Sequence, residues 1–393
     1  MNADPCARNL TLAFFTDTYK PAVNGIVTAV DLFATQLRAL GHRVWVFGPA
    51  SPKWAGEPDF VGLRSVPFPV APDFRVAWPL SKRGLSRIPD TGADVVHVHS
   101  PGPIGVLGLR YASGRSLPVV QTYHAMLIDY ARHYVPRALV GTQHVVGWWQ
   151  HFLYNRADLV TAPTSFVRSY LEQIGIQKPV VVLPTGLDLE RFRPPHTDTR
   201  QRFGLPPDRP IVATASRLAR EKNIELIIEA FAILRSERQD PLLLVIGGGP
   251  HLRRLKQRVT ELGLTDHTVF TGMVSRDDVA ALLAAADLFA YACQTDTQGI
   301  VVMEAMAAGK PLVLVNERVF EAFVVEGRNG HLVAADPFVF ARRLGALLSD
   351  AALRERMGRH SLEMAAGFSI ERQAAELAAL YAGLLQQRAA APG

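Results

Sequence analysis

The sequence predicts an α/β protein of two tandem doubly wound parallel-sheet domains facing across a cleft. Three observations carry this reading. Short runs rich in Val, Ile and Leu alternate with helical-period stretches along most of the chain, the pattern of a parallel sheet covered on both faces. The alternation breaks once, at the turn-rich and Pro-rich segment Leu183–Pro195, and then restarts. At 393 residues and 48% hydrophobic content the chain is long enough for two or three ordinary cores, at roughly 150 residues per domain.

In the first domain, residues 1–187, strands are expected at Thr11–Phe15, Arg43–Phe47, Val95–Val98, Pro118–Gln121, Leu159–Ala162 and Val180–Leu183, and the first helix begins near Ile26. In the second, residues 188–368, they are expected at Ile211–Ala215, Leu242–Ile246, Val269–Thr271, Leu288–Tyr291, Leu312–Val315 and Gly330–Val333. An amphipathic helix starts at Ile224. Another runs from about Gln298 to Ala308, capped by Asp296 and closed by Gly309, with Pro311 just beyond. The last stretch, 369–393, reads as a helix whose stripe Ile370, Ala374, Leu377, Leu380 and Leu384 can pack on either domain, packing back on the first being one of the two arrangements. Ligands of open α/β sheets bind at the carboxyl ends of strands, so function is expected in the loops of the cleft.

Composition narrows the chemistry. Cys6 and Cys293 cannot make a disulfide framework, and no CxxC pair or Cys/His cluster marks a structural metal, so a reducing compartment is expected. Met1–Leu10 carries Asp4 and Pro5 where an export signal would be basic and then apolar. The best apolar stretches are broken by Asp287, Glu304 and Lys310, too soon for a membrane-spanning helix. The expected location is cytoplasmic, with or without peripheral attachment to the inner face of the cell membrane. A formal charge of +6 suits an anionic partner: nucleic acid, an acidic lipid surface or a phosphorylated substrate. No basic tail and no aromatic and basic interleaving support the first, so no nucleic acid is expected.

Three segments carry candidate chemistry. The strand ending at Phe15 runs through Thr16-Asp-Thr-Tyr-Lys-Pro-Ala-Val-Asn24-Gly25 into a helix. Without a Cβ, Gly25 lets a phosphate approach free N–H groups whose dipoles carry roughly half a positive charge. This is not GxGxxG, and no GxxxxGK[ST] occurs, so the nicotinamide dinucleotide reading loses its support. Gly247-Gly248-Gly249-Pro250 follows a strand in the second domain and reads either as a tight turn or as the wall of a nucleotide pocket. At the start of the second domain, Ser216-Arg217-Leu-Ala-Arg-Glu-Lys222-Asn follows a strand, and the cations Arg217 and Lys222 are placed to converge on a diphosphate. In Gln294–Pro311, Asp296 and Glu304 lie eight residues apart, and Glu304 sits among apolar residues where a carboxylate needs a partner such as a ligand hydroxyl.

These residues resemble the retaining, nucleotide-sugar-dependent glycosyltransferases of the GT-B fold in the glycosyl transferases group 1 family, whose two domains are Rossmann-like. The resemblance covers nearly the whole chain. Asp296–Pro311 is similar to the family's acidic-x7-Glu signature followed by EAMAxGxP, with Asp296 standing where Glu is usual. It implies that Asp296 serves the sugar hydroxyls, that Glu304 holds the donor ribose and that the N–H groups of Gly299 and Ile300 meet the sugar. Arg217 and Lys222 match the diphosphate-binding pair, and Asn24 and Gly25 match the amino-domain glycine loop. A narrower similarity, carried by Phe15–Gly25, His97-Val-His-Ser-Pro101 and Thr122–Tyr130, is to bacterial diacylglycerol glucosyltransferases, although HAMLIDY replaces their usual HTxYExY. It implies a lipid acceptor and gives His124 contact with the donor hexose. His97 and His99 alternate on a strand end and are expected to face opposite sides.

Breaking the anomeric bond leaves charge on the nucleotide diphosphate, which a catalyst must stabilise. No Asp-x-Asp motif occurs to hold a divalent cation, so no metal or cofactor is expected; the donor that the resemblance implies is a UDP- or GDP-hexose. Phe68, Phe74, Arg75, Trp78, Lys82, Arg83, Arg87, Trp148, Trp149 and Phe152 compose either a surface for anionic lipid or core and solvated rim. Three other readings remain: a glycosyltransferase acting on another lipid or on a polysaccharide acceptor, a nucleotide-sugar epimerase of the same architecture, and a two-domain protein that closes on a sugar without catalysis.

Overall fold

Two parallel sheets organise the chain, and their strand order places the candidate residues. The computed structural model describes residues 8–68, 71–77, 88–124, 142–193, 198–236 and 240–390. Met1–Gly186 with Ile370–Gly393 forms one unit, and Leu187–Ser369 forms the other.

The first unit contains β1 (Thr11–Phe15), β2 (Arg43–Pro49), β3 (Phe60–Leu63), β4 (Ser65–Phe68), β5 (Ala71–Ala77), β6 (Val95–Val98), β7 (Val119–Thr122), β8 (Leu159–Ala162) and β9 (Val180–Val182). Seven strands form a sheet in the order β3-β2-β1-β6-β7-β8-β9, and β4 pairs with β5 in a separate antiparallel ribbon. The strands of the sheet are parallel throughout. Period-two alternation divides β1 between two cores. Phe15 stacks on Phe47 at 4.4 Å on one face. Phe14 joins Val30, Leu37 and Val46 on the other.

The sequence reading did not include β3, β4 and β5. Phe60-Val-Gly-Leu is short, holds a glycine and lies at the sheet edge, where one neighbour suffices and the hydrophobic signal is weak. The helix Ile370–Ala390 runs along the helix Gly25–Ala39, and Ile370, Ala374, Leu377 and Tyr381 enter the same core as Phe14. Its far end is held by Arg388, which donates to both oxygens of Asp158 and to the Ser116 carbonyl. Residue 186 is a glycine for a steric reason: a Cβ there would stand 2.4 Å from Ile370 Cα.

The second unit contains β10 (Ile211–Ala215), β11 (Leu242–Ile246), β12 (Thr268–Gly272), β13 (Leu288–Tyr291), β14 (Leu312–Val315) and β15 (Gly330–Val333), all parallel, in the order β12-β11-β10-β13-β14-β15. The order reverses between β1 and β6 in the first sheet and between β10 and β13 in the second. Crevices open at such switch points. The loops there carry Asp17–Asn24 and His99 in the first unit, and Arg217–Lys222 and Cys293–Gly299 in the second.

Candidate active site

In the second unit the loop after β10 is fixed by the glycine turn after β11. Gly247 and Gly249 have φ of +122° and +158°, and a Cβ on Gly247 would stand 2.1 Å from the Ser216 carbonyl oxygen. That proximity lets Leu218 N–H donate to the Gly248 carbonyl at 2.9 Å. A short turn of 3-10 helix, Arg220–Lys222, then ends at Asn223 in the left-handed conformation and swings Lys222 toward β13.

Lys222 Nζ donates to Asp296 Oδ1 at 2.6 Å and to Tyr291 OH at 3.2 Å, and lies 3.6 Å from Cys293 Sγ. Tyr291 OH donates to the other oxygen of Asp296 at 2.5 Å. The ion-pair side chains are only 13% and 17% exposed. Burial alone would raise the Asp296 carboxyl, but Lys222 and the hydroxyl of Tyr291 hold it below the usual carboxylate range. Desolvation likewise opposes the charge on Lys222, and Asp296 restores it, keeping the amine well above its ordinary value. Burial pushes the Cys293 thiol up to about 11, so it stays protonated.

Asp296 therefore does not cap a helix. The helix spans Ile300–Ala307, two residues later than its expected start, and its N-cap is Gly299 at φ +70°. The buried Lys222 ammonium competes successfully for the carboxylate. Asp296 thus lies outside the helix that bears Glu304. A Cβ on Gly299 would lie 3.7 Å from Asp296 Oδ2, so Lys222, Asp296 and the start of this helix come together.

Arg217 donates to Glu221 at 2.9 Å, and the Glu221 side chain is 1% exposed. The loop is thus not a solvated mixture of charges. Glu304 is half-buried, and its carboxylate makes no hydrogen bond among the described residues. Desolvation raises its carboxyl, against the pull of Arg276 and Arg191.

In the first unit Asn24 caps the helix Gly25–Ala39, its Oδ1 accepting from Val27 N–H at 3.0 Å and its Nδ2 donating to Thr18 Oγ1. Gly25 is exposed at the helix start. Asp17, on the same loop, accepts from the N–H groups of Gly102, Ile104 and Gly105 at the head of the helix Pro103–Ser113. Desolvation nevertheless pushes its carboxyl up to about 6. His124 hydrogen-bonds through Nε2 to His99 Nδ1 at 3.1 Å, and burial lowers it to about 4.

His97 and His99 do not face opposite sides. Their rings stack at 4.0 Å: only successive residues of a strand alternate between faces, whereas residues two apart share one. Sequence reasoning also missed Tyr291, Cys293, Glu221 and Asp17. None belongs to a recognisable spacing, and only the sheet order signals that the loops after β10 and β13 are neighbours.

Of the residues read as either a lipid surface or core and rim, Trp78, Lys82, Arg83 and Arg87 and the side chains of Phe68 and Phe74 lie outside the described residues, as do 125–130 of the Thr122–Tyr130 motif. Arg75 is tied to Ser65 and the Ala50 carbonyl. On the helix Thr142–Tyr154, Trp148 is 62% exposed and packs on Phe152 at 5.3 Å, with Val145 64% exposed nearby on the same helix. No helix among the described residues is long and apolar enough to cross a membrane.

Two doubly wound parallel sheets in tandem, with charged loops at both switch points, are the architecture of the GT-B fold. Residues 196–364 match the family described as Glycosyl transferases group 1, and residues 23–191 match Glycosyltransferase Family 4. The chain is 30% identical over 312 residues to the alpha-monoglucosyldiacylglycerol synthase of Streptococcus pneumoniae, covering 77% of this chain and 70% of that one. It is 28% identical to the GDP-mannose-dependent alpha-(1-6)-phosphatidylinositol monomannoside mannosyltransferase of Mycolicibacterium smegmatis, covering 87% and 90%. Among solved structures, sucrose-phosphate synthase from Thermosynechococcus elongatus superposes with a TM-score of 0.79 at 21% identity, covering 97% of this chain and 100% of that one. The chain belongs to the glycosyl transferases group 1 family, and it is a glycosyltransferase.

Proposed function

We propose that the protein transfers a hexose from a nucleotide diphosphate sugar to a hydroxyl of a membrane lipid such as diacylglycerol, with retention of anomeric configuration and without a metal ion. The observation that carries the reading is Lys222, a buried cation at the switch point of the second sheet. The lipid acceptor is supported by the two relatives above, whose names specify monoglucosyldiacylglycerol and phosphatidylinositol monomannoside.

Fixed positive charge placed where the diphosphate develops its own stabilises the transition state more than the resting donor. Lys222 has three N–H donors, and its contact with the Cys293 sulfur at 3.6 Å is weak enough to exchange for a phosphate oxygen. Asp296 holds the ammonium in place and, with the Gly299 and Ile300 N–H groups, serves the hexose hydroxyls. Glu304 takes the ribose hydroxyls as its missing partners, and Arg217 adds a second cation. From the first unit, Asn24, Gly25 and His124 serve the phosphate and the sugar. On the retaining path the departing phosphate oxygen accepts the acceptor's proton, so no carboxylate base is required. Trp148 and Val145 rest on the lipid surface that supplies the acceptor.

A uridine or a guanosine donor suits this chemistry equally, and the mannosyltransferase relative supports the second. The test is incubation with a panel of UDP- and GDP-hexoses with and without diacylglycerol vesicles. Lipid-dependent release of nucleotide with a glycolipid product is expected. An epimeric sugar nucleotide formed without acceptor would replace this reading with that of an epimerase.

A further inference from the structure

Three imidazoles stand together in the first unit, and the function proposed above uses only His124. His97 and His99 are each 1% exposed. His97 is fully engaged: Nδ1 lies 2.6 Å from Tyr381 OH on the carboxyl-terminal helix, and Nε2 lies 2.6 Å from Thr122 Oγ1. His99 stacks on His97, and Phe14 packs against both rings at 5.1 and 4.7 Å. His99 Nδ1 meets His124 Nε2 at 3.1 Å, whereas His99 Nε2 is buried with no hydrogen-bond partner.

Two neutral imidazoles that share one hydrogen bond must divide the roles: one nitrogen donates and the other accepts. A proton on His99 Nε2 would bury an N–H with no acceptor, whereas an acceptor lone pair that receives no donor is the more tolerated defect. We propose that His99 is a positioning residue that sets the proton of His124: His99 Nδ1–H donates to His124 Nε2, so that His124 is a neutral imidazole protonated on Nδ1. Burial disfavours the charged form of both rings, in agreement with this assignment. Tyr381 and Thr122 anchor His97, which holds the plane of His99 by stacking. The carboxyl-terminal helix thereby supports the orientation of His124 through Tyr381, 284 residues beyond His97 in sequence. The value of this arrangement for transfer rests on the role proposed for His124: a fixed Nδ1–H offers a donor hexose an oriented hydrogen bond, with no reorganisation as the reaction proceeds.

The test uses the full chain with 15N-labelled histidine and two-bond proton–nitrogen correlation near neutral pH, the His124 signal being assigned by its loss in His124→Gln. The expected spectrum of the unsubstituted protein shows His124 protonated on Nδ1 and bare on Nε2, the minority form of free histidine. His99→Asn places an amide N–H near the position of the lost Nδ1–H and is expected to retain that pattern and most of the transfer rate. His99→Phe keeps a ring against His97 but has no donor. It is expected to return His124 to the Nε2–H form and to lower kcat about tenfold with little change in the donor KM. A His124 proton on Nε2 in the unsubstituted protein overturns the proposal, as does an Nδ1–H pattern that survives His99→Phe. A normal tautomer switch in a chain that turns over no nucleotide sugar supports the positioning role and defeats the proposed function instead.

Discussion

Lys222 Nζ lies 2.6 Å from Asp296 Oδ1, and this one pair ties the loop after β10 to the loop after β13. Removing either partner strands a charge in a site that excludes most water. Asp296→Ala is expected to cost about 3–5 kcal/mol, and Lys222→Met combined with Asp296→Leu less than the two single changes together. Denaturant unfolding of the double-mutant cycle measures this coupling. The signs of the pH dependence differ. Asp296, held low, contributes stability above the usual carboxylate range that is lost as pH falls through its depressed value; Lys222, held high, contributes below the usual amine value and loses it as pH rises through its raised one. Strictly additive single losses would show that the pair is not coupled.

Glu304 is expected to reveal itself through ligand binding, not stability. Desolvation already disfavours its charge, so Glu304→Gln removes a penalty and should leave the melting temperature unchanged or slightly higher. Nucleotide affinity should fall about tenfold, because a carboxylate accepting two hydroxyls is lost. Calorimetric titration with UDP and GDP checks both statements, and undiminished affinity removes Glu304 from the ribose site.

His124 makes acid unfolding steeper. Its folded form is lowered to about 4 by burial, so it stays neutral while the unfolded chain takes up a proton near 6.5. Stability is therefore lost as pH falls from about 6.5 to about 4, by as much as about 3 kcal/mol from this group. The variant His124→Phe should show a shallower loss over that window in urea titrations at several pH values. An unaltered slope would mean that His124 is not buried as a neutral ring.

Trp148 and Val145 are exposed on one helix, and Trp148 stacks with Phe152. If this face meets lipid, Trp148→Ser with Val145→Ser should weaken co-sedimentation with anionic vesicles by about tenfold. The residual binding should be salt-sensitive. Equal sedimentation of the two proteins would leave the aromatic cluster without a role at the membrane.

Much of the fold was legible because buried parallel strands announce themselves as apolar runs: Leu242–Ile246 and Leu312–Val315 appear in the structure as read. The edge strand Phe60–Leu63 did not, since a single neighbour imposes little pattern. Local rules also misassigned Asp296. An Asp ahead of an apolar helical run reads as a cap, and only the fold reveals a lysine 74 positions earlier that claims it. Tyr291, Cys293 and Tyr381 were invisible for the same reason, because each acts through a contact between distant segments.

The positive charge that Lys222 supplies at the departing diphosphate is tested by the single-turnover rate of hexose transfer to lipid by Lys222→Ala, measured beside a melting curve that reports the folded fraction. A folded variant whose rate falls at least about tenfold is the predicted result. A folded variant that transfers at the unsubstituted rate would contradict it.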